Sequence, residues 1–418
     1  MQNSQKYDVV IAGAGASGLV AAIRAAESGA SVLVVEKMHK PGRKIRITGK
    51  GRCNITNSEE LEDFIKKVYP NGKFLYSAFH EFYTWDIIAL LEACGVSCKI
   101  ERGGRYYPES DKGADVANAL FKKAKSLGVI FMFETALKKI SITNGRLSSV
   151  LVSSDAGEQE LSCSKCILCT GGKSYPATGS TGDGYRLAEQ AGHEIINPLP
   201  ALVALQTDSP HLPLLVGLKL KNVMAVLQVD GKPVGEEFGE LYFTDRGLDG
   251  PVVLSLSRFA ATALNKGMNC EISLDMKPAL DDDKLDHRLQ RDMNENGKKN
   301  LKNLFKSWLP SQMIPVFFDI LDINPDKPAH QVSGSERHAI RKLMKDFRFK
   351  LTGTGPWEEA VITAGGINTD EVNPKTLESK KLKGLYFAGE ILNLDAETGG
   401  YNLQIAWSTG WLAGKYRK

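Results

Sequence analysis

A glycine-rich segment near the start of the chain has the spacing of a dinucleotide-binding turn. Residues 13–18 read Gly-Ala-Gly-Ala-Ser-Gly and lie between an apolar run at 9–12 and a helix-forming segment at 19–27. In such a turn the first glycine allows a tight bend, the second lets a pyrophosphate approach the backbone, and the third lets the helix pack on the sheet. The unpaired N–H groups at the helix N-terminus favour an anion. The strand–turn–helix context argues against a glycine turn that binds nothing, so we expect a dinucleotide here.

An acidic residue completes this predicted site. Residues 31–35 read as the next strand, and Glu36 follows that strand directly. A carboxylate in this position accepts hydrogen bonds from ribose hydroxyls and repels a 2′-phosphate. The pattern therefore disfavours NADP as the tightly held nucleotide.

Further segments indicate FAD rather than NAD. Residues 42–57 combine glycines with cations, which suits a loop along a pyrophosphate and an isoalloxazine ring, and residues 169–172 end a strand in small residues. Near the end of the chain, residues 384–390 read as a strand and acidic turn, and residues 398–404 open a helix. FAD is long, and a helix returning from the far end of the chain can direct its N-terminus toward the flavin half. We therefore expect FAD as the cofactor.

At these residues the chain resembles the YhiN/BaiN-type flavoprotein family, which includes proteins named aminoacetone oxidases. The similarity covers nearly the whole chain, and Gly-Lys-Gly-Arg-Cys-Asn at 49–54 is its most distinctive part. The resemblance implies non-covalent FAD in a two-dinucleotide-binding-type domain that is interrupted by a β-rich insert and a helical insert. Activities proposed across that family are reduction of a conjugated C=C bond in bile-acid intermediates, oxidation of aminoacetone, and reduction of uridine to dihydrouridine in ribosomal RNA.

The chain departs from the family pattern in one segment. Residues 243–251 look like the family's Thr-His-x-Gly-x-Ser-Gly-Pro element, but Asp245 stands in place of the histidine and Asp249 in place of the serine. No role of those two positions is therefore carried over to this chain.

The predicted cofactor-binding residues lie in these segments, with Lys37 after the acidic residue and Ala136 further along the chain. They are Gly13, Gly15, Ala16, Ser17, Gly18, Glu36, Lys37, Arg43, Lys44, Gly49, Gly51, Arg52, Cys53, Asn54, Ala136, Thr170, Gly171, Gly172, Gly389, Glu390, Gly399, Gly400, Tyr401, Asn402 and Leu403.

Three residues are the main candidates for catalysis. Cys53 lies within the flavin loop, and its thiol could protonate a C=C bond during reduction; the alternative is a small packing residue beneath the ring. Arg105 could bind an anionic or carbonyl group and Tyr107 could donate a proton, or both could belong to a surface turn. Tyr175 and Tyr401 are weaker candidates for stacking or proton donation.

The composition is that of an ordinary globular protein. The chain has 418 residues, 42% hydrophobic and 24% charged, and a net charge of +4, which is compatible with a polyanionic partner without requiring one. No apolar run approaches the length of a membrane span, and the N-terminal residues do not read as a secretory signal. Together with seven cysteines, an odd number, this predicts a reducing cytoplasm and no membrane partner.

The cysteine spacing at Cys163, Cys166 and Cys169 invites a metal-site interpretation. On a strand these side chains alternate between faces, so Cys166 would point away from the other two. We therefore predict buried small hydrophobes. The seven histidines are scattered, and no metal is expected.

Cofactor motifs at both ends of the chain predict a discontinuous domain of the α/β class. We predict a Rossmann-like FAD-binding domain at 1–195 and 355–418, a β-barrel-like insert at 196–277 and a small helical insert at 278–354. Residues 59–95 read as two helices and residues 102–110 as an irregular loop. Alternating strands are expected over 201–275.

A basic helix bears on RNA binding. Apolar residues recur at helical spacing over 336–351 beside a basic stripe. The stripe contains Arg337, Arg341, Lys345 and Arg348; a second basic run contains Lys298, Lys299, Lys302 and Lys306; and Phe305, Trp308 and Phe349 could pack or stack. The functional interpretation is a patch that follows RNA phosphates, and the alternative is an ordinary solvated amphipathic helix.

These features predict an FAD-dependent oxidoreductase that passes a hydride through flavin N5 to a conjugated C=C bond. No second G-x-G-x-x-G occurs, so NAD(P)H is expected to visit the open flavin face as a transient donor. The alternatives are a dihydrouridine synthase acting on ribosomal RNA, an aminoacetone-like amine oxidase and, from another class, a non-catalytic flavin-bearing RNA-binding factor. The sequence leaves the choice between a small-molecule substrate and ribosomal RNA open, and it does not indicate the oligomeric state.

Overall fold

The computed structural model describes residues 6–416, and these residues form two compact units. The first unit consists of residues 6–200 and 360–416, and the second of Ala201–Glu359. Each unit has its own hydrophobic core. Among the described residues, no helix combines the length and the apolar character needed to cross a membrane.

The strands are, in chain order, β1 (Lys6–Ala12), β2 (Val32–Val35), β3 (Thr56–Asn57), β4 (Val68–Tyr69), β5 (Cys98–Glu101), β6 (Arg105–Pro108), β7 (Ile130–Met132), β8 (Ala136–Thr143), β9 (Arg146–Ser154), β10 (Gly157–Leu168), β11 (Ile195–Ala201), β12 (Leu205–Gln206), β13 (Lys219–Val229), β14 (Lys232–Phe243), β15 (Gly247–Asp249), β16 (Cys270–Asp275), β17 (Phe347–Lys350), β18 (Gly353–Thr354), β19 (Ile362–Ile367), β20 (Leu385–Phe387) and β21 (Asp395–Ala396).

The α-helices are α1 (Ala16–Glu27), α2 (Arg43–Ile47), α3 (Leu61–Lys66), α4 (Tyr76–Glu81), α5 (Thr84–Ala93), α6 (Gly113–Ser126), α7 (Asp183–Gln190), α8 (Leu212–Leu215), α9 (Pro251–Asn265), α10 (Asp282–Glu295), α11 (Leu301–Trp308), α12 (Met313–Leu321), α13 (Gly334–Lys345) and α14 (Tyr401–Gly414). Short 3₁₀ turns cover Gly72–Leu75, Pro176–Thr178, Ala329–Gln331 and Thr369–Glu371.

The main sheet of the first unit is of the Rossmann type. Its strand order is β7–β2–β1–β10–β9–β8, and β20 also pairs with β10. Strands β7, β2, β1, β10 and β20 run parallel, whereas β8 and β9 extend the sheet antiparallel. Residues 9–12 of β1 and all of β2 are apolar and buried because both faces of such a parallel sheet are covered. Their carboxyl ends meet at one edge, where open α/β sheets bind ligands. The α/β class with a Rossmann-type sheet, predicted from the sequence, is confirmed.

Helix α14 joins the end of the chain to the first βαβ unit. A Cβ added at Gly410 would lie 2.3 Å from the carbonyl oxygen of Ser17, so the two helices approach too closely there for any other residue. Trp407 on the same helix is fully buried and donates its indole N–H to the carbonyl of Ile55 at 3.0 Å. Helix α14 is thereby held against α1 and against the segment directly before β3.

The second unit is a seven-stranded antiparallel sheet with helices packed on it. The strand order is β17–β16–β13–β14–β15–β12–β18. One core contains strand residues such as Leu227 and Ile272 together with helix residues such as Phe305 and Phe317. Helix α9 lies within the region where only strands were expected, so that expectation was incomplete.

Two segments of the first unit differ from their predictions. Residues 102–110 were expected to be an irregular loop, but β5 and β6 form a hairpin there, and β6 also pairs with β3. Gly103 and Gly104, with φ of 78° and 70°, make the turn of this hairpin, which requires the left-handed region that glycine favours. Residues 59–95 contain three α-helices and a 3₁₀ turn instead of two helices.

The predicted helix over 336–351 was wrong in its last third. Helix α13 ends at Lys345, and strand β17 follows. Phe347 and Phe349 are buried while Arg348 and Lys350 are exposed, which is the two-residue period of a strand. Pairing with β16 therefore decides the conformation of these residues over the helical spacing.

Candidate functional site

A cavity lies at the carboxyl ends of β1, β2 and β10, entirely within the first unit. Its lining comes from both ends of the chain and includes the turn between β1 and α1, helix α2, and the N-terminus of α14. The lining residues are 12–17, 35–37, 40, 42–45, 48, 135–137, 169–171, 178–180, 183, 187, 361–362, 390, 402–403 and 406.

The first turn of α1 forms one part of the cavity wall. Gly13 has φ of 101°, and a Cβ there would lie 2.5 Å from the carbonyl oxygen of Cys169. A Cβ on Gly15, in contrast, would meet no heavy atom within 4 Å. Gly15 is the N-cap of α1, no side chain caps this end, and the first turn contains no acid. The exposed N–H groups and the open space beside Gly15 fit a pyrophosphate.

Glu36 is fixed at the cavity wall by two backbone hydrogen bonds. The Ala14 N–H donates to its Oε2 at 2.7 Å, and the Met38 N–H donates to its Oε1 at 2.9 Å. Burial raises the pKa of this carboxyl above its ordinary value. Each carboxylate oxygen keeps a further lone pair, which fits hydrogen bonds from ribose hydroxyls. Beside it, Lys37 forms an ion pair with Asp183, and both line the cavity.

A charged network joins four chain segments at another part of the wall. The Lys44 Nζ lies 2.8 Å from Glu390 Oε2 and donates to Ser174 Oγ at 2.9 Å. Ser174 Oγ donates to Glu390 Oε1 at 2.5 Å, and the Thr363 N–H donates to the same oxygen at 3.0 Å. Every charge in this network has a partner, so the carboxylate and the ammonium are held in fixed positions.

A second helix N-terminus lines the same cavity. Gly400 is the N-cap of α14 at φ 101°, no side chain caps the helix, and its first turn contains no acid. Asn402 and Leu403 line the cavity. The Asn402 amide accepts from the Ala396 N–H and donates to the Ala396 carbonyl, both at 2.8 Å, which orients this turn. The positive end of the α14 dipole therefore favours negative charge in the cavity.

The structure brings many of the predicted cofactor residues together. Those that line the cavity are Gly13, Gly15, Ala16, Ser17, Glu36, Lys37, Arg43, Lys44, Ala136, Thr170, Gly171, Glu390, Asn402 and Leu403. Those that lie outside the lining are Gly18, Gly49, Gly51, Arg52, Cys53, Asn54, Gly172, Gly389, Gly399, Gly400 and Tyr401. Two of the latter allow close backbone approach: a Cβ on Gly18 would lie 1.9 Å from the Gly13 carbonyl oxygen, and one on Gly400 would lie 2.5 Å from that of Thr56.

The predicted catalytic residues do not line the cavity. Cys53 is fully buried in the core of the first unit, and burial raises the pKa of its thiol well above the ordinary value. Tyr107 is buried on β6 beneath the Arg52 guanidinium, which lies 4.2 Å from its ring centroid. Arg105 is exposed on the same strand. The burial of Cys53 agrees with the packing alternative.

The two weaker tyrosine candidates are also outside the cavity lining. The Tyr401 hydroxyl donates to Glu59 Oε2 at 2.7 Å and accepts from Lys67 Nζ at 3.0 Å. Tyr175 has φ of 51° and is 38% exposed in the loop after β10.

Several lining residues were missed by the sequence reasoning. Thr178, Gly179 and Ser180 lie at the start of a glycine-rich segment, which was a usable signal for a ligand contact. Ser174 and Thr363 do not line the cavity, but both hydrogen-bond to Glu390 in its wall. They were also missed, because the contact between them spans 189 residues and neither residue type indicates such a contact.

The four residues of the predicted basic stripe, and Lys302 of the second basic run, are paired with carboxylates. Arg337 lies 3.1 Å from Asp286, and Lys345 pairs with Asp275. The remaining pairs are Arg341 with Asp282, Arg348 with Asp346 and Glu271, and Lys302 with Asp326. Phe305, Trp308 and Phe349 are buried and pack in the core, so they are unavailable for stacking on bases. This agrees better with the amphipathic-helix alternative than with an RNA-binding patch at α13.

The predicted burial of the cysteine run is confirmed. Cys163, Cys166 and Cys169 are at most 4% exposed. Within residues 6–416, no group of histidine, cysteine, aspartate or glutamate side chains could hold a metal ion.

The fold and this cavity together define a class of protein. A βαβ turn followed by an acidic residue binds the adenosine end of a dinucleotide, and a helix N-terminus from the end of the chain extends the site to the length that FAD needs. That class is the FAD-dependent oxidoreductases. Over residues 7–416 the chain matches the family described as HI0933-like protein Rossmann domain, and it belongs to that family. The family resemblance drawn from the sequence motifs is confirmed.

Relatives with curated activities match the chain over almost its full length. It is 31% identical over 409 residues to the ribosomal RNA dihydrouridine synthase of Escherichia coli (strain K12), covering 97% of each chain. It is 30% identical over 413 residues to the 3-dehydro-bile acid delta(4,6)-reductase of Clostridium scindens, again covering 97% of each chain. A solved quinol-fumarate reductase with menaquinol is 17% identical with a TM-score of 0.52, covering 99% of this chain and 71% of that chain, which is a likeness of fold.

Proposed function

We propose that the protein holds FAD non-covalently in this cavity and reduces a C=C bond conjugated to a carbonyl group, with NAD(P)H as the electron donor. The observation that carries the proposal is the pair of uncapped helix N-termini, of α1 and α14, that line one cavity together with Glu36. One N-terminus suits the pyrophosphate, and the other suits negative charge on the flavin.

Each part of the cavity has a role in this proposal. The first turn of α1 binds the pyrophosphate, Glu36 accepts hydrogen bonds from the adenosine ribose, and Lys37 with Asp183 borders this part. The network of Lys44, Ser174 and Glu390 holds a fixed charge pair in the wall. The α14 N-terminus stabilises negative charge that accumulates on the flavin.

FAD, when bound, supplies the hydride from its N5 atom. The reduced C=C bond also needs a proton. Because Cys53, Arg105 and Tyr107 lie outside the cavity lining, the proposal assigns this proton to solvent instead of to one of these side chains.

The two relatives support the choice of reaction. One is named for producing dihydrouridine, which requires saturation of the uridine C5–C6 bond beside a carbonyl group, and the other for reducing delta(4,6) bonds of a 3-dehydro bile acid. The two substrates differ greatly in size, but in both the reduced bond is conjugated to a carbonyl. This shared chemistry is the part we carry to the present chain.

Uridine in ribosomal RNA is a second, more specific candidate for the substrate. The observation that favours it is the 31% identity to the Escherichia coli enzyme over 97% of both chains. The ion pairs of α13 provide no support for an RNA contact at that helix. The candidate therefore requires RNA to be bound elsewhere on the protein.

The test combines a reaction in vitro with an analysis of RNA. The FAD-loaded protein is mixed anaerobically with NADH or NADPH, and reduction of the flavin is measured as loss of its visible absorbance. An α,β-unsaturated ketone is then added, and reoxidation of the flavin is measured as recovery of that absorbance. Recovery with the enone and none with the saturated ketone is expected. A flavin that neither nicotinamide reduces, or that only oxygen reoxidises with peroxide release, would contradict the proposal.

Mass spectrometry of ribosomal-RNA nucleosides decides between substrates. The comparison is between a strain lacking the protein, the same strain with the intact gene restored, and one with a Gly15→Val variant. Dihydrouridine that disappears and returns only with the intact gene identifies ribosomal RNA as the substrate. Unchanged dihydrouridine limits the proposal to small unsaturated carbonyl compounds.

A further inference from the structure

A second cavity of the first unit lies beside the amino end of β20, and it shares no lining residue with the cavity proposed to hold FAD. Its walls come from β10, the segment before β20, the start of β9, and the C-terminal end of α14. It belongs to no step of the proposed reaction.

The charged residues of this cavity are almost all of one sign. Five cations line it, namely Arg146, Lys165, Lys375, Lys383 and Lys415, against a single carboxylate, Glu378. The Oε1 of Glu378 already accepts the Gly384 N–H at 2.9 Å. A concave surface lined by one sign of charge concentrates the electrostatic potential and raises the local concentration of counter-ions.

Three of these cations have no ionic partner. Arg146, Lys375 and Lys383 are exposed, and none of them forms an ion pair within residues 6–416. Arg146 and Lys383 are neighbours because their backbones form a parallel bridge, and the Leu147 N–H donates to the Lys383 carbonyl at 2.9 Å. Two adjacent unpaired cations at a concave site repel each other, and an anion between them removes that repulsion.

The buried cation of the cavity has a structural role of its own. Lys165 is 7% exposed, its Nζ lies 3.8 Å from the ring centroid of Tyr386, and it donates to the carbonyl of Lys415 at 2.7 Å. It therefore donates a hydrogen bond to the C-cap carbonyl of α14. Lys415 itself pairs with Glu81. These contacts account for two of the five cations and leave Arg146, Lys375 and Lys383 without a role.

We propose that this cavity binds phosphate groups, with Arg146 and Lys383 as the principal contacts. The planar fork of a guanidinium suits two oxygens of one phosphate, and a lysine contributes a compact point charge beside it. Three unpaired cations match a phosphate group with two or more charges better than a single carboxylate. The phosphate belongs either to a small ligand such as pyrophosphate or to the backbone of an RNA. The site is independent of the proposed C=C reduction.

The test is calorimetric titration of the FAD-saturated protein, in which the pyrophosphate-binding turn of α1 is occupied by the cofactor. The probes are inorganic pyrophosphate and a short single-stranded RNA. The test variant carries Arg146→Gln and Lys383→Gln. The control variant carries Lys122→Gln and Lys139→Gln, which removes two other exposed cations that form no ion pair in the described part of the chain. Both variants change only surface side chains, and circular dichroism and FAD content verify that they fold.

We expect the test variant to lose about tenfold or more in affinity and the control variant about twofold or less, since a close charge-assisted contact contributes more than a distant charge. RNA that binds and displaces pyrophosphate identifies the RNA backbone as the source of the phosphate. Pyrophosphate that binds where RNA does not identifies a small ligand. The proposal is overturned if neither probe binds, or if the test and control variants bind the probes equally well.

Discussion

Lys44 and Glu390 lie 346 positions apart in the chain, yet their charged groups are 2.8 Å apart in the wall of the proposed FAD cavity. Lys44 comes from α2, directly after the first βαβ unit, and Glu390 comes from the segment after β20. Their side chains are 26% and 12% exposed. Removing one partner would leave the other charge partly buried without compensation, which costs more than the pair contributes when intact.

We expect a double-mutant cycle on this pair to reveal strong coupling. Glu390→Gln and Lys44→Met should each destabilise the protein, and the double variant should be less destabilised than the sum by about 1–2 kcal/mol. The measurement is urea unfolding of the cofactor-free protein, which separates the pair's effect on the fold from its effect on FAD. Strictly additive free energies of unfolding would contradict a coupled pair.

Substitution by alanine should affect different properties at the two glycines of the first turn, FAD affinity at Gly15 and stability at Gly13. Gly15→Ala places a methyl group in open space at φ −80°, so the fold should keep its stability while FAD affinity falls about tenfold, since the methyl hinders the approach of the pyrophosphate. Gly13→Ala meets the Cys169 carbonyl at 2.5 Å with φ at 101°, and it should cost more than about 1 kcal/mol of stability.

Thermal unfolding without FAD and fluorescence titration with FAD distinguish these two effects. An unaltered FAD affinity in Gly15→Ala would place the pyrophosphate away from α1.

The buried thiol of Cys53 should be dispensable for turnover. Cys53→Ala should retain flavin reduction and substrate turnover within about twofold, since the side chain is fully buried outside the cavity lining and its raised pKa makes the thiol a poor proton donor. It should lower the free energy of unfolding by about 1 kcal/mol through lost packing. Stopped-flow kinetics and urea unfolding check the two expectations, with Cys94→Ala, a partly exposed cysteine, as the matched control. A large loss of turnover at unchanged FAD content would indicate that Cys53 donates a proton in the reaction.

The local part of the cavity was predictable from the sequence because its signal is local. Gly13, Gly15 and Glu36 occur in one strand–turn–helix–strand unit, where spacing alone brings them to one sheet edge. Ser174 and Thr363 meet across 189 residues through the order of strands in space, and no residue spacing encodes that order.

The surroundings of the catalytic candidates and the end of the basic helix could not be predicted from the sequence, because they depend on contacts between distant segments. The positions of Arg105 and Tyr107 depend on the pairing of β6 with β3 and β5, and a segment with two glycines reads equally as a loop. Residues after Lys345 keep a helical spacing of apolar side chains, but strand β16 offers a partner, and tertiary pairing overrides the local pattern. The periodicity of the sequence contains no information about the pairing with β16.

The last prediction concerns the pH dependence of stability, which Lys165 should govern at high pH. Burial lowers the pKa of its amine from 10.5 to about 8, and the nearby Glu378 opposes this only in part. Between pH 8 and 10.5 the unfolded chain binds more protons than the folded one, so wild-type stability should rise with pH in this window. Below pH 8 the folded protein pays the full cost of a buried ammonium.

Lys165→Met should remove this rise of stability with pH. At pH 7 the variant should be about 1–2 kcal/mol more stable than the wild type, because relief of the buried charge exceeds the loss of the hydrogen bond to the Lys415 carbonyl. Above pH 10.5 the wild-type amine is neutral in both states, so the variant should lose this advantage and become the less stable protein. Urea unfolding across this range measures the crossover, with the exposed Lys375→Met as control. Parallel stability curves for Lys165→Met and the wild type would mean that the amine remains solvated in the folded protein.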